Sequence, residues 1–153
     1  MEESEATAST IINFAEKLED DSLSFYEKLA EKNAESASVF LSFAEESKKN
    51  KVLVIRTYRE TITDALEACF SFEGMKLSNY VVKPILTKDT SYSDALRKAM
   101  ELEDKASKFY LDVAERSKSL LATIPSAFRK VADRRNNRKQ VLESLLDKAT
   151  AKR

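Results

Sequence analysis

A chain of 153 residues with 42% hydrophobic and 34% charged side chains has the length and balance of one globular domain, and a single Gly with two Pro leaves little to break helices. Twenty-six basic and 26 acidic residues cancel to a formal net charge of zero, so no surface suited to nucleic acid is expected. One cysteine, Cys69, excludes an intrachain disulfide, and the absence of histidine removes the commonest transition-metal ligand and general base together.

Residues 1 to about 8 carry no periodic apolar face and read as a frayed start. No hydrophobic leader or run near ~18 apolar residues is present, and a cytoplasmic setting without membrane contact is expected. The spacing predicts a first helix over about 9–33, with Ile11, Ile12, Ala15, Leu18, Phe25, Tyr26 and Leu29 on one face. Asn33 is expected to end it in a left-handed conformation, and Ser36 or Ser38 to cap the next helix. A second helix over about 36–66 carries Phe40, Phe43, Ala44, Leu53, Val54, Tyr58, Ile62 and Ala65. The period then weakens to Thr90, around Gly74 and Pro84, in a long connection with at most a short helical turn at Cys69. Ser91 with Asp94 opens a third helix, about 91–117, and Pro125 suits the first turn of a fourth, about 124–149, with Phe128, Val131, Ala132, Val141, Leu142 and Leu145 inward.

The chain repeats itself. Leu18-Glu19-Asp20 to Phe25-Tyr26 returns 84 positions later as Leu102-Glu103-Asp104 to Phe109-Tyr110, and Phe40, Ala44 and Leu53 answer to Phe128, Ala132 and Val141 at an offset of 88. In each copy a Glu lies seven residues before a Tyr on one helix face. On the facing helices the apolar stripe passes through Ser47 and Asn50 in the first copy and through Arg135 and Arg138 in the second. Glu19, Ser47, Asn50, Glu103, Arg135 and Arg138 are therefore expected in one central layer, flanked by Tyr26 and Tyr110.

Over about residues 10 to 148 the chain resembles the rubrerythrin-type branch of the ferritin-like superfamily. The resemblance implies an all-α, ferritin-like four-helix bundle with a long crossover between helices two and three. It also implies a di-iron centre that reacts with peroxide or oxygen, with a Glu on helices one and three and Glu-x-x-His on helices two and four. Glu19 and Glu103 match the first part, whereas Ser47-Lys48-Lys49-Asn50 and Arg135-Asn136-Asn137-Arg138 keep the spacing and lose every ligand. Two permanent cations in the layer oppose a bound dication. The expectation is a degenerate site in which each arginine forks onto one carboxylate, with no metal, no cofactor and no catalytic residue. The function expected is that of a non-catalytic bundle protein active in binding or assembly, as a homodimer formed through exposed residues such as Phe14 or Leu23.

Three alternatives stand beside this reading. An iron-dependent oxidoreductase would use Glu19, Glu103 and Asn50 as ligands, a small-molecule binder would use the cavity between the helices, and a rotated bundle would leave the two glutamates facing solvent. Glu45, Glu46, Asp20 and Asp21 are expected in solvent, Cys69 as a small buried apolar residue, and Arg134 on a different face from Arg135.

Overall fold

The computed structural model describes residues 6–61, 71–72, 74–117 and 123–151. Among the described residues four α-helices carry the fold: α1 Ala8–Lys32, α2 Ala37–Thr61, α3 Tyr92–Arg116 and α4 Thr123–Ala151. Apart from them, Ala6–Thr7 pairs antiparallel with Ser71–Phe72, and Leu77–Tyr80 forms a 3-10 turn. No helix among the described residues is long and apolar enough to cross a membrane.

Local chemistry sets the helix ends. Thr7 caps α1 by accepting from the Thr10 amide while the Thr10 hydroxyl accepts from the Thr7 amide, which satisfies two otherwise orphaned donors and starts the helix slightly earlier than the apolar pattern alone indicates. At its far end Asn33 adopts φ −136°, not the left-handed region, because its side-chain amide itself donates to the Leu29 carbonyl at 3.0 Å. Ser36 is engaged elsewhere, sharing a 2.8 Å hydrogen bond with the Tyr92 hydroxyl at the start of α3. Ser91 caps α3 through the Asp94 amide, and Pro125 falls in the first turn of α4, both as the sequence indicates. The sequence-predicted continuation of α2 through Ile62 and Ala65, and the turn at Cys69, lie outside the described residues. Gly74 stands at φ +78°; a Cβ there meets only Arg116 Nη2 at 3.7 Å, so the backbone conformation rather than lack of space calls for glycine.

Neighbouring helices run antiparallel, as the order of their contacts requires. Tyr26 packs on Phe43 and Glu19 meets Asn50, so α2 descends α1; Tyr110 packs on Phe128 and Glu103 meets Arg135, so α4 descends α3. The same logic holds for α1 with α3, through Tyr26 to Glu103 and Glu19 to Tyr110, and for α2 with α4, through Asn50 to Arg134 and Glu46 to Arg138.

The core follows the apolar stripes on all four helices, with Phe72, Met75 and Tyr80 added from the connection. Three expectations need correction. Phe14 and Leu23 are not the exposed residues expected: both are partly buried against the core, and the Phe14 ring lies 4.7 Å from Phe109. Val141 is 39% exposed, one position off the inward stripe that Leu142 takes up. The connection is also more built than its composition suggests, since Tyr80 donates to Asp112 at 2.6 Å and Lys105 donates to the Asn79 carbonyl at 3.1 Å.

Candidate functional site

Midway along the bundle, a polar layer interrupts the core. The helical repeat brings Glu19 inward between Ala15 and Tyr26, and Glu103 between Ala99 and Tyr110; both are fully enclosed. Ser47 and Asn50 enter from α2 and Arg135 and Arg138 from α4, so the structure brings all six sequence-predicted layer residues together, none more than 1% exposed.

Arg135 sits at the centre. Its Nη2 lies 2.8 Å from Glu19 Oε1 and donates to Ser22 Oγ at 2.9 Å, while its Nη1 donates to both oxygens of Glu103 at 2.9 and 3.0 Å. One guanidinium thus joins the two carboxylates, where one arginine per carboxylate was expected. Burial by itself would lower the Arg135 pKa, but Glu103 and Glu19 outweigh it and hold the group well above its ordinary value.

Arg138 turns the other way. Its Nε donates to Glu46 at 2.7 Å and its Nη1 to Ser47 at 3.0 Å, with Glu103 farther off at 3.6 Å. Its guanidinium also lies over the rings of Phe43 and Tyr26, 5.6 and 5.8 Å from their centroids, a cation–π arrangement. Glu46, expected in solvent, leans over the layer to reach the arginine while its side chain stays 33% exposed. Arg134, expected on another face, also joins by donating to Asn50 Oδ1 at 2.8 Å, while Asn50 Nδ2 donates to Glu19 at 3.3 Å.

The two phenols complete the layer crosswise. Tyr26 donates to Glu103 and Tyr110 donates to Glu19, each reaching the carboxylate of the other repeat. Burial, then the facing carboxylate, pushes both hydroxyls well above the ordinary 10.0, so they stay protonated donors. Two buried nitrogens, Arg135 Nε and Arg138 Nη2, have no hydrogen-bond partner among the described residues.

Three participants escaped the sequence reading: Ser22, Glu46 and Arg134. Ser22 had a legible signal, lying three residues after Glu19 and four before Tyr26 on the same stripe. Glu46 and Arg134 had none, because their positions point aside and only the length of their side chains brings them in.

As a donor set the layer suits a metal poorly. Glu19 and Glu103 already accept from Arg135 and the tyrosines, and the remaining central positions hold a hydroxyl, an amide and two guanidiniums. No group of three or more His, Cys, Asp or Glu positioned to hold a metal ion occurs among the described residues. What the arrangement does chemically is neutralise itself: the enclosed carboxylates Glu19 and Glu103 are balanced by the enclosed arginines Arg135 and Arg138, with Glu46 closing on Arg138 from the rim.

In comparisons with known proteins, no family model matches the chain, and neither does any curated protein or solved structure.

Proposed function

We propose that this chain is a non-catalytic protein of the rubrerythrin-like, ferritin-like type, in which an internal Glu/Arg network stands where a di-iron centre would be, and that it acts by binding or assembly. The observation that carries this reading is Arg135, whose guanidinium bridges Glu19 and Glu103 within 2.8–2.9 Å, all three side chains at 0% exposure. Antiparallel contacts of α1 with α2, α1 with α3 and α3 with α4 leave α2 and α3 running the same way, which supports a lengthwise crossover in the intervening connection.

Assembly is read as a homodimer. With Phe14 and Leu23 taken up by the core, the apolar residues left for such a contact include Leu41 on α2 and Val141 on α4, 50% and 39% exposed. The contacts of Arg138 with Glu46 and Ser47 put these two at about the same height in the bundle. A monomeric mass by light scattering at tens of micromolar would remove the dimer from the reading. A cytoplasmic setting without a nucleic-acid partner completes it, in keeping with the zero formal charge.

The decisive experiment measures iron in protein purified without chelator, then again after anaerobic ferrous loading and desalting. Little iron is expected at both stages. About one iron per chain, with iron-dependent peroxide consumption, would instead support an oxidoreductase built on Glu19, Glu103 and Asn50, and two irons would mean that other residues of α2 and α4 face the layer.

A further inference from the structure

Away from the polar layer, a groove runs between α1 and the extended segment 81–86. One end is an apolar slot of about 70 Å³ among Phe14, Leu18, Leu102, Tyr80 and Val82. It opens into a cavity of about 380 Å³ bordered by Phe25, Leu86, Lys28 and Lys83, and the two share Lys17, Asp21, Val82, Lys83 and Pro84. They form one groove, apolar at one end and cationic at the other.

Its walls are fixed. Phe14 and Tyr80 both pack on Phe109, at 4.7 and 5.7 Å between ring centres, and Tyr80 is tied to Asp112. At the far end Lys32 donates to the Thr87 carbonyl, so segment 81–86 is anchored on both sides. Between the anchors Val82, Lys83, Ile85 and Leu86 make no backbone hydrogen bond among the described residues, which leaves their amides open to water or a ligand.

The charges are unequal. Among the described residues Asp21 is the only carboxylate lining the groove and it is paired with Lys17 at 3.0 Å, whereas Lys28 and Lys83 form no ion pair. An occupant that complements this surface has an apolar tail and one anionic head.

We propose that the groove binds a medium-chain aliphatic carboxylate, the end of its tail in the slot beside Leu18 and Leu102, the rest along Val82 and Pro84 in the adjoining cavity, and its carboxylate between Lys28 and Lys83. This proposal is independent of the fate of the polar layer, since it shares no residue with it.

The test is titration of the intact chain with octanoate, hexanoate and octanol, followed by calorimetry and by amide shifts in two-dimensional NMR. Octanoate is expected to bind saturably at or below about 1 mM. Hexanoate is expected to bind about tenfold more weakly, since each methylene buried adds severalfold. The shifts should fall on residues 17–28 and 81–86. Lys28→Gln with Lys83→Gln, both exposed positions that fold does not depend on, should weaken octanoate about fivefold or more and leave octanol unchanged, while Lys130→Gln on α4 changes neither. The proposal is overturned by absence of saturable binding, by affinity indifferent to the lysine changes or to chain length, or by shifts elsewhere on the bundle. Broadening of the same amides with protein concentration alone also overturns it, since a second copy would then cover the groove.

Discussion

Tyr26 donates its hydroxyl to Glu103, and Tyr110 returns the same contact to Glu19, so each half of the repeat satisfies the buried carboxylate of the other. This exchange follows from the duplication: residues 84 positions apart occupy equivalent places about an approximate two-fold relation between α1 and α3. The arginines do not obey it, since both come from α4, and that inequality governs the energetics of the layer.

Because one guanidinium serves two carboxylates, pairwise repair of the layer is expected to fail. Glu103→Ala should cost about 3–5 kcal/mol by urea denaturation, since it leaves the enclosed charges unbalanced and takes the acceptor from Tyr26 and from one arm of Arg135. Adding Arg135→Met does not restore stability, because Glu19 then loses its cation. The triple change Glu19→Gln, Glu103→Gln and Arg135→Met removes the three charges that meet at one guanidinium, leaves Arg138 with Glu46, and should recover most of the loss. Full recovery in the Glu103→Ala, Arg135→Met double variant would contradict a shared arginine.

The tyrosines make the fold sensitive to alkali. Burial and the facing carboxylates raise Tyr26 and Tyr110 above the 10.0 of an unfolded chain. A raised folded pKa means that the stability it represents is fully present below pH 10 and declines as pH rises beyond it. Phenolate absorbance should therefore show a steep component coinciding with unfolding monitored by circular dichroism. Tyr80, pushed up to about 12 by burial and Asp112, should ionise late as well. Tyr26→Phe with Tyr110→Phe should abolish the steep component and cost about 1–3 kcal/mol per lost hydrogen bond near neutrality. Phenolate formation of all five tyrosines near pH 10 in folded protein would show that the hydroxyls are not enclosed.

If the layer is a former metal site, restoring its ligands should restore its affinity. Ser47→Glu, Asn50→His, Arg135→Glu and Arg138→His together place Glu-x-x-His on α2 and α4 opposite Glu19 and Glu103. The quadruple variant is expected to melt below the parent without metal, since four carboxylates then crowd one layer, and to regain stability as it takes up about two ferrous ions per chain. Absence of iron uptake, measured by elemental analysis, would count against the ferritin-like reading of the chain.

Much of this arrangement was readable in advance because helical periodicity depends only on residue type and spacing. The three-and-four pattern placed Glu19, Glu103, Arg135 and Arg138 inward, and the repeat identified Tyr26 and Tyr110 as their neighbours. Spacing fixes where a Cα lies on a helix but not how far a long side chain travels. Glu46 and Arg134 consequently looked like solvent residues, although reach alone brings them onto Arg138 and Asn50. The same limit hid the sharing of Arg135, since pairing depends on side-chain rotamers. Phe14 looked free because its partner Phe109 comes from a helix distant in sequence.

The uneven placement of the arginines also makes the two helical hairpins complementary. Among the residues enclosed in the layer, the first hairpin contributes one negative charge from Glu19, and the second a net single positive charge from Glu103, Arg135 and Arg138. Two first hairpins meeting face to face would bury two uncompensated anions, and two second hairpins would bury an excess of two cations. Only unlike halves make a neutral interior, so a chain severed between α2 and α3 has one favoured way to reassemble, and the two copies of the repeat are not interchangeable.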